Sequence, residues 1–506
     1  MESSASLPPI DPVFSGLEPA IVWRHFAALC ALPRPSKAEH AVVRHLLRWA
    51  ERRKLTARSD SARNLIIEKP ASPGYEHAPK VILQAHLDMV CQKEEGFPHD
   101  FARDPIRPEI ENGWLLARHT TLGADNGIGV ALALAALEDA ALTHGALTAL
   151  FTADEEAGMS GARALASDTL SADILLNLDT EEWGAFYLGC AGGAEIHADF
   201  PLPALPCPEE TCAVEISLRG LTGGHSGIDI HRPRAHAIRV LLECLLELAQ
   251  DIAPFALLSF SGGSVSNALP RAAAAKIALS ETRRAALTTR LSEQEKKLRE
   301  RFPEDSKLRL SCAPQPGTEH FRAASLPASV WRPLADTLLR LPFGVLAASA
   351  DFPGVVETSC NFAPCQIMPA PENGTHIMRC RAAFLPRSLH DERRDALVKS
   401  IREQIVQAGG AAIVKDAYPG WRPDPNSRLL ALCERVYQDV FSAPPRREVI
   451  HAGLECGLFA RAFPSLALLS FGPDIMGAHA PGERVRVASV EMCWRFLRAL
   501  LARLAA

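Results

Sequence analysis

No apolar run in this 506-residue sequence approaches the ~20 residues that span a bilayer, which excludes a helical membrane protein. An excess of positive charge is also missing. Lysine and arginine total 54 against 59 acids, a formal net charge of −5, so neither nucleic acid nor an acidic membrane surface is expected as a partner. The opening stretch, Met1-Glu-Ser-Ser-Ala-Ser-Leu-Pro-Pro-Ile10, has no basic segment and no apolar core, so no secretory signal is expected there. The 13 cysteines are odd in number, include no Cys-x-x-Cys spacing, and in places (Cys244, Cys433) fall within helical apolar patterns. They are expected to be reduced, mostly buried thiols of a cytoplasmic protein without a disulfide framework. What is present, 47% hydrophobic and 22% charged residues, is the balance of an ordinary globular chain, long enough for about two to four domains.

The apolar spacing is helical from 18 to about 55, broken by Pro33 and Pro35. Short buried strands are predicted at 65–68, 81–88, 147–152 and 174–178, with helices at 128–142 and about 161–167 between them. Strands alternating with helices predict an α/β domain whose sheet is mostly parallel. After Cys190 the pattern changes. A proline-rich turn at 200–208 precedes strands at 213–218, 273–279, about 376–382 and 412–415, and helices at about 235–249, 282–301 and 392–408. This is expected to be an inserted α+β lid, long enough for two ferredoxin-like subdomains. The first pattern returns with a helix at 428–440, a strand at 466–470 and a final helix at 490–504. The expected division is therefore a catalytic domain formed by 1–190 and 422–506, with 191–421 inserted. The charge run at 293–300 is expected to be a solvated helix face.

The stretch Thr120-Thr-Leu-Gly-Ala-Asp-Asn-Gly-Ile-Gly-Val130 reads as a loop entering a helix. Taken alone, Asp125 there is a helix cap, since an acid at a helix start meets unpaired amides and the positive dipole end. Its company argues for more. His86 and Asp88 end one predicted strand, Glu155 and Glu156 follow another, Asp179 ends a third, and His479 lies in the loop after a fourth. Open α/β sheets place their ligand crevice at these carboxyl ends. A buried cluster of acids and histidines must be paired or neutralised, and divalent metal does that. Two ions could be held by His86 and Asp179 and by Glu156 and His479, with Asp125 bridging. Such a pair holds a shared hydroxide and polarises a carbonyl. Mixed N/O ligation suits zinc best, with cobalt or manganese as substitutes. Glu155 adjoins a ligand without being needed as one, which leaves it free as a general base. Asp88 is placed to accept the other imidazole N–H of His86 and fix its tautomer.

Four motifs, Gln84-Ala-His-Leu-Asp-Met89, Thr121-Leu-Gly-Ala-Asp-Asn-Gly-Ile-Gly129, Thr152-Ala-Asp-Glu-Glu-Ala-Gly158 and Gly223-Gly-His-Ser-Gly227, resemble the co-catalytic zinc peptidases of the aminoacylase and carboxypeptidase superfamily. Gly189-Cys-Ala-Gly-Gly193, Gly354-Val-Val-Glu-Thr-Ser359, Ala417-Tyr-Pro-Gly-Trp421 and His451-Ala-Gly-Leu-Glu-Cys-Gly-Leu458 resemble, within it, the bacterial aminoacyl-histidine dipeptidases. The resemblance runs over nearly the whole chain. It implies the same metal ligands, Glu155 as general base and Asp88 as supporting acid. It further implies a lid in which His225 stabilises the tetrahedral oxyanion, while Asn267 and Arg381, with Arg379 as a rival, hold the substrate carboxylate. The segment 302–339 is barely similar, and Cys91 stands where the family often has proline.

The expectation is a two-metal cytoplasmic dipeptidase of broad specificity that includes Xaa-His substrates and acts as a homodimer. The same core would also serve an N-acyl-amino-acid deacylase or a carboxypeptidase. A catalytically silent peptide-binding protein would lack a ligand or the base, and none is missing.

Overall fold

The computed structural model describes residues 11–207, 211–315, 324–370 and 377–506. The chain divides into two compact units, one of Met1–Cys190, Trp421–Val449 and Leu454–Ala506, the other of Ala191–Gly420 and Ile450–Gly453.

An eight-stranded sheet organises the first unit. Its centre is parallel, with Leu147–Thr152, Val81–His86, Ile174–Asn177 and Ala467–Ser470 side by side in that order. Thr56–Ser59 and Leu65–Lys69 add antiparallel strands at one side, and Ala185–Cys190 runs antiparallel at the other. Every residue of Val81–His86 and Ile174–Asn177 is buried, which is why both segments read as largely apolar runs ending in a polar residue, with Gln84 the one polar residue inside the first. The helix Ala124–Glu138 packs on Val81–His86 and against the helix Ala20–Cys30, and is apolar on all faces because it is enclosed. Within its assigned span, Asp125 and Asn126 have non-helical backbone, so the regular helix begins only after them.

The second unit is built on a nine-stranded sheet. The strand pairs are antiparallel, in the order Arg309–Pro314, Cys212–Arg219, Ala273–Leu279, Phe255–Gly262, Val356–Pro369, Ile377–Ser388, Gly192–Pro203 and Ala411–Tyr418, with Gly344–Ala348 beside Val356–Pro369. The two halves expected as subdomains are thus joined: Val356–Pro369 bonds to Phe255–Gly262 at one edge and to Ile377–Ser388 at the other. The helix Ala237–Asp251 packs on the first half and Asp391–Gln407 on the second. The proline-rich stretch from Phe200 is not a turn at its start, since Gly192–Pro203 is one strand that includes Pro201 and Pro203. Its neighbour Ala411–Tyr418 stops pairing at Asp199, so the prolines sit where one side of the strand is an open edge, a position that tolerates a missing N–H.

Candidate active site

In the first unit the carboxyl ends of the parallel strands bring together all five residues predicted as metal ligands. His86 Nε2 lies 3.0 Å from Asp125 Oδ1 and 3.3 Å from Asp179 Oδ1. His479 Nε2 lies 3.2 Å from the other oxygen of Asp125 and 3.0 Å from Glu156. Asp125 therefore stands between two histidines, each of which also faces a carboxylate of its own. Ligand atoms of His86, Asp125 and Glu156 all fall within 4.8 Å of one another, close enough to share an ion. Asp179 Oδ1 is buried and, beyond the ion pair with His86, makes no well-aligned hydrogen bond among the described residues, a charge that a cation would satisfy.

The charges in this cluster compensate one another. Burial favours a neutral His86, yet Asp179, Asp125 and Asp88 overcome it and hold its pKa well above the usual histidine value. Hydrogen bonds to Asp125 and Glu156 push His479 up to about 11. Against its own burial, Asp125 is held well below the ordinary range by hydrogen bonds from His479 and His86. Burial lifts Asp179 to about 6 despite the nearby His86. Protons on the two rings balance acids that would otherwise repel each other, as divalent ions do more completely. The donor set, two imidazoles and three carboxylates, fits a pair of such ions.

The supporting residues explain the placement. His86 Nδ1 is 3.1 Å from the Asp88 main-chain carbonyl and 3.4 Å from its carboxylate, so the backbone oxygen is the nearer partner for the ring. The Asp88 carboxylate accepts the amides of Glu155 at 3.0 Å and Glu156 at 3.1 Å, and the Ser36 hydroxyl at 2.7 Å. One buried acid thereby fixes both the histidine strand and the turn carrying the acidic pair. Burial, reinforced by Asp179, Glu455 and Glu156, raises the Glu155 pKa well above the usual carboxyl range.

Three residues stand behind this layer: Glu483 and Arg34, which sequence reasoning missed, and Glu455, which it placed beside the site without a role. Asp125 is not a cap. The amides of Leu122, Gly123, Ala124 and Asp125 point instead at Glu483, at 2.7, 2.9, 2.7 and 3.3 Å. Buried Arg34 donates to the carbonyls of Leu87 and Asp88, both at 3.1 Å, and to Gly123, joining the His86 strand to the Asp125 loop. Gly123 has φ +69°, and a Cβ there would strike Arg34 and Met89. Glu455, wholly buried, accepts from Gln84 Nε2 at 2.7 Å and Thr152 Oγ1 at 2.8 Å, and burial lifts it to about 8. No local pattern marks Glu483 or Arg34, because the partners of each are remote in sequence.

In the second unit, His225 and Asn267 are neighbours. His225 pairs with Ala268 across a short ladder, and the Ser226 amide donates to the Asn267 carbonyl at 2.8 Å. His225 Nδ1 accepts the amides of Gly227 and Ile228 at 3.2 and 3.1 Å. Burial, helped by Arg387, lowers its pKa to about 4. The ring is thus neutral with its proton on Nε2. Arg381 is not brought to this group. Its side chain is 68% exposed, near Asp199, and Arg379 donates to the same Asp199 at 3.0 Å. The arginine beside His225 is Arg387, six residues further along the strand or about 20 Å at ~3.3 Å per residue. It is 4% exposed, bonded to the Tyr418 hydroxyl, with Ser226 Oγ at 3.5 Å and an Nε that has no acceptor among the described residues. His451, also buried here, meets Ser359 Oγ through Nε2 at 2.8 Å.

Residues 82–503 match the model of a family described as peptidase family M20/M25/M40. Over 491 residues the chain is 39% identical to the cytosol non-specific dipeptidase of Escherichia coli K12, covering 96% of this chain and 98% of that one. The crystal structure of aminoacylhistidine dipeptidase from Vibrio alginolyticus is 37% identical and superposes with a TM-score of 0.83 over 97% of this chain and 98% of that one. An aminopeptidase from Bacillus cereus, 15% identical with a TM-score of 0.60 over 97% of this chain and 100% of that one, shares the fold.

Proposed function

This chain belongs to peptidase family M20/M25/M40, and we propose that it is a metal-dependent dipeptidase of broad specificity that includes Xaa-His substrates. The observation that carries the metal-dependent part of the reading is Asp125, bonded at one oxygen to His86 and at the other to His479. His86 and Asp179 would hold one divalent ion, Glu156 and His479 the second, and Asp125 both, with zinc the best match and cobalt or manganese able to replace it. Ions bound there would supply an acidified water and a Lewis acid for the scissile carbonyl.

The chain's own groups do the rest. Glu155 takes the proton of the attacking water and returns it to the leaving amine. Asp88 holds Glu155 and His86 in register. The second unit serves as a lid. His225 offers Nε2–H to the oxyanion, its tautomer set by the two amides at Nδ1. Arg387 holds the substrate's C-terminal carboxylate, with Asn267 beside His225, and this replaces the role expected for Arg381. Gripping the carboxylate and the carbonyl together measures length and favours dipeptides. The protein is proposed to work in the cytoplasm as a homodimer, the compartment following the name of its Escherichia coli relative.

The test is hydrolysis of a dipeptide panel, including β-alanyl-histidine, by chelated protein with zinc, manganese or cobalt restored. Restored cleavage of dipeptides, with tripeptides and N-acylated amino acids left intact, is expected. Activity confined to N-acyl substrates would move the function to a deacylase on the same core. Absence of any hydrolysis by metal-loaded protein would favour a peptide-binding role.

A further inference from the structure

A second cavity, of about 560 Å³, lies in the first unit between the helices Ala20–Cys30 and His40–Arg52, closed by the turn Pro12–Phe14 and the segment 105–107. The amide of Ile106 donates to the Cys30 carbonyl at 2.8 Å and ties that segment to the first helix. None of the residues described above as metal ligands, base or oxyanion donor lines it. Its size is that of a small-molecule site.

Its walls are apolar and its polar groups are mostly donors. Phe14, Ala27 and the ring of Trp49 supply the apolar part. Arg24, Arg52, Arg53 and Arg107 all line it, and among the described residues the only lining acid is Asp11, whose carboxylate already accepts the Val13 amide at 3.0 Å. Glu138 balances one wall, meeting Arg53 at 2.7 Å, Arg24 at 3.1 Å and His25 at 2.7 Å. Arg52 and Arg107 have no carboxylate partner among the described residues. Four guanidinium groups against two acids leave the cavity positive. Arg53 lies 4.5 Å over the ring of Trp49, which is 4% exposed, so that ring forms part of the apolar wall beneath the guanidinium groups.

We propose that this cavity binds a small amphipathic carboxylate, with an aromatic or short acyl body against Trp49, Phe14 and Ala27 and its oxygens on Arg52 and Arg107. A guanidinium fork pairs with a planar carboxylate. A singly charged group also loses less hydration against apolar walls than a doubly charged phosphate.

Metal-loaded, full-length protein would be titrated with 4-phenylbutyrate while the indole N–H resonance of Trp49, assigned by its loss in Trp49→Phe, is followed. The alcohol 4-phenylbutanol tests the charge, acetate the apolar body, and phenyl phosphate the anion type. The expected result is a saturable shift of the Trp49 signal. Affinity for the butyrate should exceed that for the alcohol, acetate and phenyl phosphate by about tenfold or more, and should fall about tenfold in the double variant Arg52→Ala/Arg107→Ala. Both arginines are exposed, so an unchanged unfolding midpoint is expected to accompany that loss. An unmoved Trp49 signal, equal binding of the alcohol, tighter binding of phenyl phosphate, or wild-type affinity in a folded double variant would each overturn the proposal.

Discussion

Glu483 accepts the main-chain amide of Asp125 from 358 residues away, and the three amides before it as well. Its four donors oppose the burial that raises its pKa. Replacing one oxygen by an NH₂ group in Glu483→Gln turns a donor toward donors. The expected loss is about 3 kcal/mol, read as a lower urea midpoint, since a buried donor left unpaired costs ~1–3 kcal/mol and more beside a lost charge. Metal affinity should fall with it, because the loop holding Asp125 loses its anchor.

Glu155→Gln keeps the shape of the side chain and removes its basicity. Turnover of dipeptides is expected to drop by ~10²–10⁴-fold, the usual range for a general base. Metal content per chain, measured by elemental analysis, should stay at the wild-type value. Near-full activity would refute the role given to Glu155.

Metal uptake should release protons. In metal-free protein, His86 titrates well above 6.5 and His479 near 11, so both rings are protonated at neutral pH and must lose those protons to bind an ion. Roughly two protons per chain are expected at pH 7, seen by calorimetry in buffers of different ionisation heat. Affinity should therefore rise with pH. The same raised values favour the metal-free fold below pH 6.5, and that contribution disappears as pH climbs through about 11. Metal-free protein is thus expected to lose stability progressively between about pH 6.5 and 11, while metal-loaded protein loses less.

Arg387 and Arg381 separate the two positions proposed for the substrate carboxylate. Arg387→Lys retains charge but not the fork, and kcat/KM for dipeptides should fall by about 10–100-fold, the size of a lost charge-assisted bond of ~1.5–3 kcal/mol. Arg381→Ala, on an exposed side chain, is expected to stay within about twofold. The reverse order would return the role to Arg381.

The parts of the site that end buried strands were readable in sequence. Val81–His86 and Ile174–Asn177 are largely apolar runs, and His86 and Asp179 stand out where those runs stop. Glu483, Arg34 and Arg387 were not, since each is an unremarkable charged residue until the fold sets its partner beside it. Arg381 was named through the family resemblance, aligned along the weakly similar strand near Cys380, but register along that strand, which local sequence does not encode, put Arg387 at the His225 end. The helix Ala328–Arg340 shows a similar limit. Trp331, Leu334, Ala335 and Leu338 form its buried stripe, while Pro333 faces outward within it and obscures the pattern.

The small segment Ile450–Gly453 packs with the second unit although the chain on both sides of it belongs to the first. His451 from this segment bonds Ser359, and its carbonyl occupies the space a Cβ on Gly227 would need. A gene fragment encoding 191–420 would therefore express the nine strands without the four residues that complete them, leaving Ser359 without its imidazole. Dissection of this protein into autonomous parts requires grafting that tetrapeptide onto the excised piece.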